Sequence, residues 1–240
     1  MKHLKTIFSV LMVIAAVSCA KTQTSGGQVS FEVSSNQVVV DVTKSNVSDY
    51  TALPSAADFT IAITGADYEW TGRISEWNAS TVLLAGEYSV TASYGSIDVE
   101  GFDKPYFTGT STFVIKGGEE TSVSIPVSLG NTVVRMTFSE SFTNYYPEYA
   151  FKLTRNGSEI VAFAKGEAKA AFVDGWKFTL EGTLVGEMKT MTISKDYNNL
   201  DPATAYTFSF DVTNVGGATL TIKFNDTVET IDLGDHELND

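Results

Sequence analysis

Between residues 84 and 129 the chain alternates apolar and polar side chains almost without a break. Tyr88, Val90, Ala92 and Tyr94 are interleaved with Glu87, Ser89, Thr91 and Ser93. That is the period of two expected of a strand with one buried face. Val123, Ile125, Val127 and Leu129 repeat the pattern. Between the two runs, Phe113-Val114-Ile115 leads into Gly117-Gly118. A Gly-Gly pair between strand patterns marks a hairpin, because both residues can take positive φ. A chain built around this stretch is committed to antiparallel sheet.

The rest of the sequence extends the same pattern, and helical periodicity is nearly absent. Val29 to Val33 alternates, as do Val38, Val40 and Val42, then Phe59, Ile61 and Ile63, with Tyr68 and Trp70 after a turn at Gly65. A second series begins near Gly130 with Val134, Met136 and Phe138, then Tyr149, Phe151 and Leu153. Asn156-Gly157 follows and is a strong hairpin signal. Trp176, Phe178 and Leu180 alternate, then Tyr206, Phe208 and Phe210, then Leu220, Ile222 and Phe224. β-Branched and aromatic residues dominate these runs, as half-buried strands prefer. The expected fold class is all-β: two antiparallel immunoglobulin-like or transthyretin-like β-sandwich domains in tandem, over 29–130 and 131–240.

The amino terminus addresses the chain to the envelope. Lys2 and Lys5 precede an apolar run centred on residues 11–17, and small residues follow. This is the plan of a signal peptide over 1–18, and the run is too short for a membrane span of about 20 residues. The run Ala16-Val17-Ser18-Cys19 resembles the lipobox of bacterial lipoproteins. The resemblance implies cleavage before Cys19 and acylation of its thiol and new amino group by palmitate-type chains. Cys19 is the only cysteine, so no disulfide competes for it. Two or more acyl chains give stable membrane anchoring. Residues 19–28 then read as a lipidated, flexible tether. Bacteroidetes-type lipoproteins carry a Lys followed by acidic residues here as a surface-export signal; Lys21 is present and the acids are not, so a periplasmic and an outward-facing location both stay open.

Charge and residue usage exclude several functions. The chain has 16 Lys+Arg against 29 Asp+Glu, a net charge of −13. No nucleic-acid partner is expected of so acidic a chain. The only histidines are His3, in the leader, and His236, in a polar tail. With Cys19 committed to lipid, a catalytic triad or a His/Cys zinc centre lacks its residues. The expectation is no enzyme activity, no metal and no cofactor. Asp196, Asn198, Asn199 and Asp201 carry oxygen ligands but lack the glycine and terminal glutamate of a calcium loop, so the segment reads as a polar loop.

Aromatic residues supply the remaining candidates. Trp70 and Trp176 sit on strand alternation and are expected in the core. Trp77, Tyr145 and Tyr146 lie off any strand face and are the candidate ligand-stacking aromatics. Leu84-x-Gly86-x-Tyr88-x-Val90 has an apparent counterpart in Leu200-x-Pro202-x-Thr204-x-Tyr206. The second resembles the L-x-P-x-T-x-Y signature of fibronectin type III sandwiches, where the tyrosine is a structural corner bonded to backbone upstream. Tyr88 and Tyr206 are therefore expected to be tyrosine corners.

The whole chain resembles a Bacteroidetes-type lipoprotein family catalogued as a domain of unknown function. The residues that carry this are Cys19, Trp70, the 84–92 motif, Gly101-Phe102-Asp103-Lys104-Pro105-Tyr106-Phe107-x-Gly109, the Phe113 strand and residues 123–131. More loosely, two sandwiches behind a lipobox are similar to fimbrillin-like surface proteins. Those polymerise by strand exchange after a protease cuts at an Arg and removes the first strand. Here the first Arg is Arg73, well inside the first sandwich, which implies that residues 29–43 stay in place. Two readings remain at this point: a structural, adhesive or fimbria-accessory lipoprotein whose partners are the membrane and other envelope or fimbrial proteins, and a glycan-binding lipoprotein serving polysaccharide capture.

Overall fold

The structure is a computed structural model and describes residues 25–36, 38–39, 45–65, 67–187, 190–213, 219–224 and 227–232. The leader, Cys19, residues 40–44 and His236 lie outside the described residues. The strands of the first half are β1 Gly26–Asn36, β2 Val38–Val39, β3 Ser45–Asn46, β4 Thr60–Gly65, β5 Tyr68–Arg73, β6 Val82–Leu84, β7 Gly86–Tyr94, β8 Gly101–Phe102, β9 Phe107–Ile115 and β10 Glu120–Leu129. Those of the second half are β11 Thr132–Phe138, β12 Glu148–Arg155, β13 Ser158–Phe163, β14 Ala171–Val173, β15 Lys177–Val185, β16 Thr190–Asn198, β17 Ala205–Thr213, β18 Thr219–Phe224 and β19 Thr227–Asp232. One short helix, α1 Glu140–Tyr145, follows β11.

The fold class expected from the alternation is the one observed. In the first half, seven strands pair in the order β5-β4-β7-β9-β10-β1-β6. Trp70 on β5 meets Trp77 at 5.1 Å between ring centres, and Trp77 meets Phe31 on β1 at 5.4 Å. Strands from opposite ends of the order therefore face each other, and the sheet closes into a sandwich. Val29, Ile61, Ile63, Val90, Ile125 and Val127 fill it. In the second half, the sheets β19-β18-β17-β11-β14-β8 and β13-β12-β15-β16 pack face to face. Phe151 meets Phe210 at 4.3 Å and Tyr197 meets Phe208 at 4.9 Å across that core.

Pairing begins earlier than the apolar pattern. Gly26, Gly27 and Gln28 already bond to Leu84, Leu83 and Val82, so the strand takes residues that read as tether. A strand can start before its first apolar side chain because backbone groups, not side chains, make the ladder. One parallel pair occurs in each half, β1 with β10 and β11 with β17. Each joins the first strand of a half to a strand far along the same half, a placement that no two-residue hairpin can make.

Seven strands of each half correspond in order, while β18 and β19 extend the second half alone. The row β5-β4-β7-β9 corresponds to β13-β12-β15-β16, and β10-β1-β6 corresponds to β17-β11-β14. The strand that corresponds to β7, which carries Tyr88, is thus β15, and Tyr206 lies on β17, the counterpart of β10. The sequence likeness between the 84–90 and 200–210 segments does not reflect equivalent positions.

The halves are bound together by the segment around residues 101–107. Gly101 and Phe102 (β8) pair with Phe172 and Ala171 of β14, extending the second half's sheet. The Phe102 ring meets Phe163 edge-on at 5.2 Å. Four residues on, the Tyr106 N–H donates to Asn131 Oδ1. Asn131 is fully buried in the link between β10 and β11.

Candidate functional site

Trp77, Tyr145 and Tyr146 do not form an exposed cluster. The turn Ile74–Glu76 after β5 is tied down by the Ile74 N–H on the Phe59 carbonyl at 2.9 Å. It swings Trp77 inward, where its indole N–H donates to the Val29 carbonyl at 2.9 Å. Trp77 is half-buried and fastens β1 to the first core. Tyr145 and Tyr146 belong to the second core. They close α1, whose N-cap Ser139 accepts from the Phe142 N–H at 3.0 Å. The segment before β12 is therefore a capped helical turn. Tyr146 is 1% exposed. Its hydroxyl has no hydrogen-bond partner among the described residues. Burial first, and the neighbouring Tyr145 second, push its pKa up to about 12. The expectation of exposure fails for a shared reason: each ring sits at the end of a short helical turn, and strand alternation cannot register such a turn.

Trp176 departs in the opposite sense. It was expected inside, in phase with Phe178 and Leu180, and is 71% exposed. β15 begins at Lys177, so Trp176 belongs to the preceding turn and not to the ladder. The signal was present as Asp174-Gly175, a turn pair directly before it. Trp70 is half-buried against the first core.

Tyr88 is 3% exposed and stacks on Phe113 at 5.5 Å. Its hydroxyl donates to the Leu84 carbonyl at 3.0 Å. Burial, and then Tyr68, raise its pKa. Tyr206 is half-buried, stacks on Phe224 at 5.2 Å, and its hydroxyl accepts from the Asp201 N–H at 3.2 Å. Asp196 lies on β16 and accepts from Thr179 Oγ1 at 2.6 Å. Among the described residues no group of three His, Cys, Asp or Glu side chains converges. No helix among them is long and apolar enough to cross a membrane.

A groove of about 660 Å³ lies between the halves, lined by Asp49, Tyr50, Arg135, Glu167 and Lys169. The Arg135 guanidinium lies 5.9 Å from the Tyr50 ring centre. Its Nε donates to Thr207 Oγ1 at 2.8 Å. Lys169 Nζ bonds Asp103 Oδ2 at 3.4 Å, and Thr51 Oγ1 donates to Asp103 Oδ1 at 3.2 Å. Side chains from both halves thus line the groove and bond across it.

The family model for a domain of unknown function (DUF4493) matches residues 25–234. Among solved structures the chain is similar to a proposed polysaccharide-binding protein (DUF1812) from Bacteroides thetaiotaomicron VPI-5482, at 12% identity over 88% of this chain and 100% of that one, with a TM-score of 0.44. It is similar to a proposed cell adhesion protein from Bacteroides eggerthii DSM 20697, at 10% identity over 86% of this chain and 94% of that one, with a TM-score of 0.43. It is also similar to a fimbrial assembly protein from Parabacteroides distasonis ATCC 8503, at 9% identity over 72% of this chain and 90% of that one, with a TM-score of 0.43. No curated protein matches the chain. The family model covers well over half of the sequence, from before β1 to beyond β19, and the chain belongs to the DUF4493 family of domains of unknown function.

Proposed function

We propose that this chain is a membrane-anchored lipoprotein of the cell envelope, held at the outer membrane by lipid on Cys19, with a structural, adhesive or fimbria-accessory role and no catalysis. One observation carries the reading: β1 is built into the first sandwich between β10 and β6. A sandwich with its own first strand in place offers no groove for a partner's strand. Such a chain suits a terminal, anchoring or stand-alone position better than a polymerising one. Val29 and Val33 on β1 are buried, and their removal would open the core. The strand begins seven residues after Cys19 in the sequence, so the lipid would sit directly beneath the first sandwich. On this reading residues 29–130 and 131–240 are two domains, tied by β8 and the Asn131 link into one rigid spacer.

N-terminal sequencing of protein taken from cells, with mass spectrometry of the lipidated peptide, tests both claims. The expected mature terminus is an acylated Cys19. A terminus beyond residue 43 would restore the polymerising reading. Cys19→Ser should move the protein from the membrane fraction to the soluble one; retention after a high-salt wash would refute the anchor.

A second reading, glycan capture, is favoured by one observation, the display of Trp176.

A further inference from the structure

Among the described residues Trp176 is the most exposed large apolar side chain, at 71%, and the turn that carries it is fixed. Its N–H donates to Asp174 Oδ1 at 3.0 Å, and its carbonyl accepts from the Asn199 N–H at 3.0 Å. The Gly175 carbonyl accepts from the Leu200 N–H at 2.9 Å. A Cβ at Gly175 would stand 2.3 Å from the Leu200 oxygen and 2.4 Å from Thr132 Oγ1, so the two turns lie backbone against backbone and only glycine fits. Asp174 is held in turn: its N–H donates to Glu100, and its carbonyl accepts from Arg155 Nη2 at 2.9 Å. The backbone from which the indole projects is therefore held in one place, so the ring is displayed from a fixed base.

The surroundings of the ring discriminate between ligand classes. Lys177 and Asn198 are exposed at the adjoining ends of β15 and β16, opposite each other in register, and Asn199 and Asp201 are exposed on the turn beyond. No other large apolar side chain of these turns is exposed. A protein interface needs several apolar anchors in a dry centre, and one ring among amide, carboxylate and ammonium groups does not supply that. A pyranose does match it. One of its faces is a flat apolar patch of C–H groups, and its rim is hydroxyls that pair with amides, carboxylates and ammonium groups alike. The chain's net charge of −13 disfavours acidic sugars. We propose that Trp176 is the stacking platform of a binding site for neutral pyranose units, with Lys177, Asn198 and Asn199 as its hydrogen-bonding edge. The site is independent of the anchor on Cys19, and its test involves no membrane.

The experiment is isothermal calorimetry of the detergent-solubilised full chain with four probes: cellohexaose, xylohexaose, mannohexaose and maltohexaose. At least one is expected to bind. Trp176→Ala should weaken that binding about tenfold or more, the scale of one lost aromatic stack. Trp176→Phe should retain part of it, and the thermal midpoint of both variants should match the parent. Failure of all four probes to bind overturns the proposal, as does binding that survives Trp176→Ala. Self-association lost in Trp176→Ala, with no sugar bound by the parent, would reassign the ring to a protein contact.

Discussion

Glu100 and Arg155, 55 residues apart in sequence, meet in a two-point ion pair across the junction of the two halves. Both guanidinium Nη groups donate to the one carboxylate, which also accepts the Asp174 N–H. The Glu100 side chain is 9% exposed and that of Arg155 27%. An ion pair this sheltered contributes less than its Coulomb attraction, because both groups have lost water. Removing one partner is nonetheless costly, since the other charge is left without compensation.

Glu100→Ala is therefore expected to lower unfolding free energy by about 2–3 kcal/mol, somewhat under the range for fully buried pairs because Arg155 keeps some solvent. Urea denaturation measures it. Glu100 belongs to the first half and its partners to the second, so the transition should also lose cooperativity, with a lower m-value or two phases. An unchanged midpoint would mean that the pair does not hold the junction.

Two tyrosines should respond to loss of a hydroxyl with opposite signs. Tyr88→Phe removes a buried bond to the Leu84 carbonyl and should cost about 1–2 kcal/mol. Tyr146→Phe removes a buried hydroxyl that has no partner among the described residues. It should stabilise by about 1 kcal/mol, because an unmade buried hydrogen bond carries a desolvation cost. Tyr206→Phe loses an exposed bond to Asp201 and should fall below 1 kcal/mol. Thermal melts of the three variants side by side check the order.

Asp211 gives a pH dependence. Hydrogen bonds from the Ser139 and Ser141 hydroxyls, with a lesser one from the Val212 N–H, hold its pKa below the usual aspartate value. A depressed folded pKa adds stability above the unfolded pKa, near 4, and loses it as pH falls through the folded value. Asp211→Asn should therefore be less stable than the parent at neutral pH, by about 1 kcal/mol given partial exposure. The gap should close below about pH 4. A gap that stays constant down to acid denaturation would show that the carboxylate's charge is not what the serines hold.

Asn131 joins the halves through its backbone and its side chain together. Its carbonyl accepts from the Ala203 N–H at 2.8 Å, while its side-chain oxygen accepts from Tyr106. Asn131→Ala leaves the Tyr106 N–H without that acceptor and should cost about 2 kcal/mol. Asn131→Asp keeps the acceptor but buries a charge and should be worse. Equal destabilisation by the two variants would argue that packing, and not the hydrogen bond, is what the site requires.

The alternation of apolar residues determined the sheet content, most strand positions and which face of each is buried, because a strand's side chains must point to opposite sides. An Asn-Gly pair determined a hairpin where local conformation decides the turn: Asn156 and Gly157 both take positive φ, at 52° and 78°. Which strands pair over long distances was decided only in three dimensions. That β1 runs parallel to β10, and that two residues of the first half complete the second half's sheet, follow from packing two cores against each other. The exposure of the aromatics was decided there too. Trp77, Tyr146 and Trp176 each sit at a turn, where a few backbone angles determine whether a ring enters the core or leaves it. A period of two carries no information about those angles.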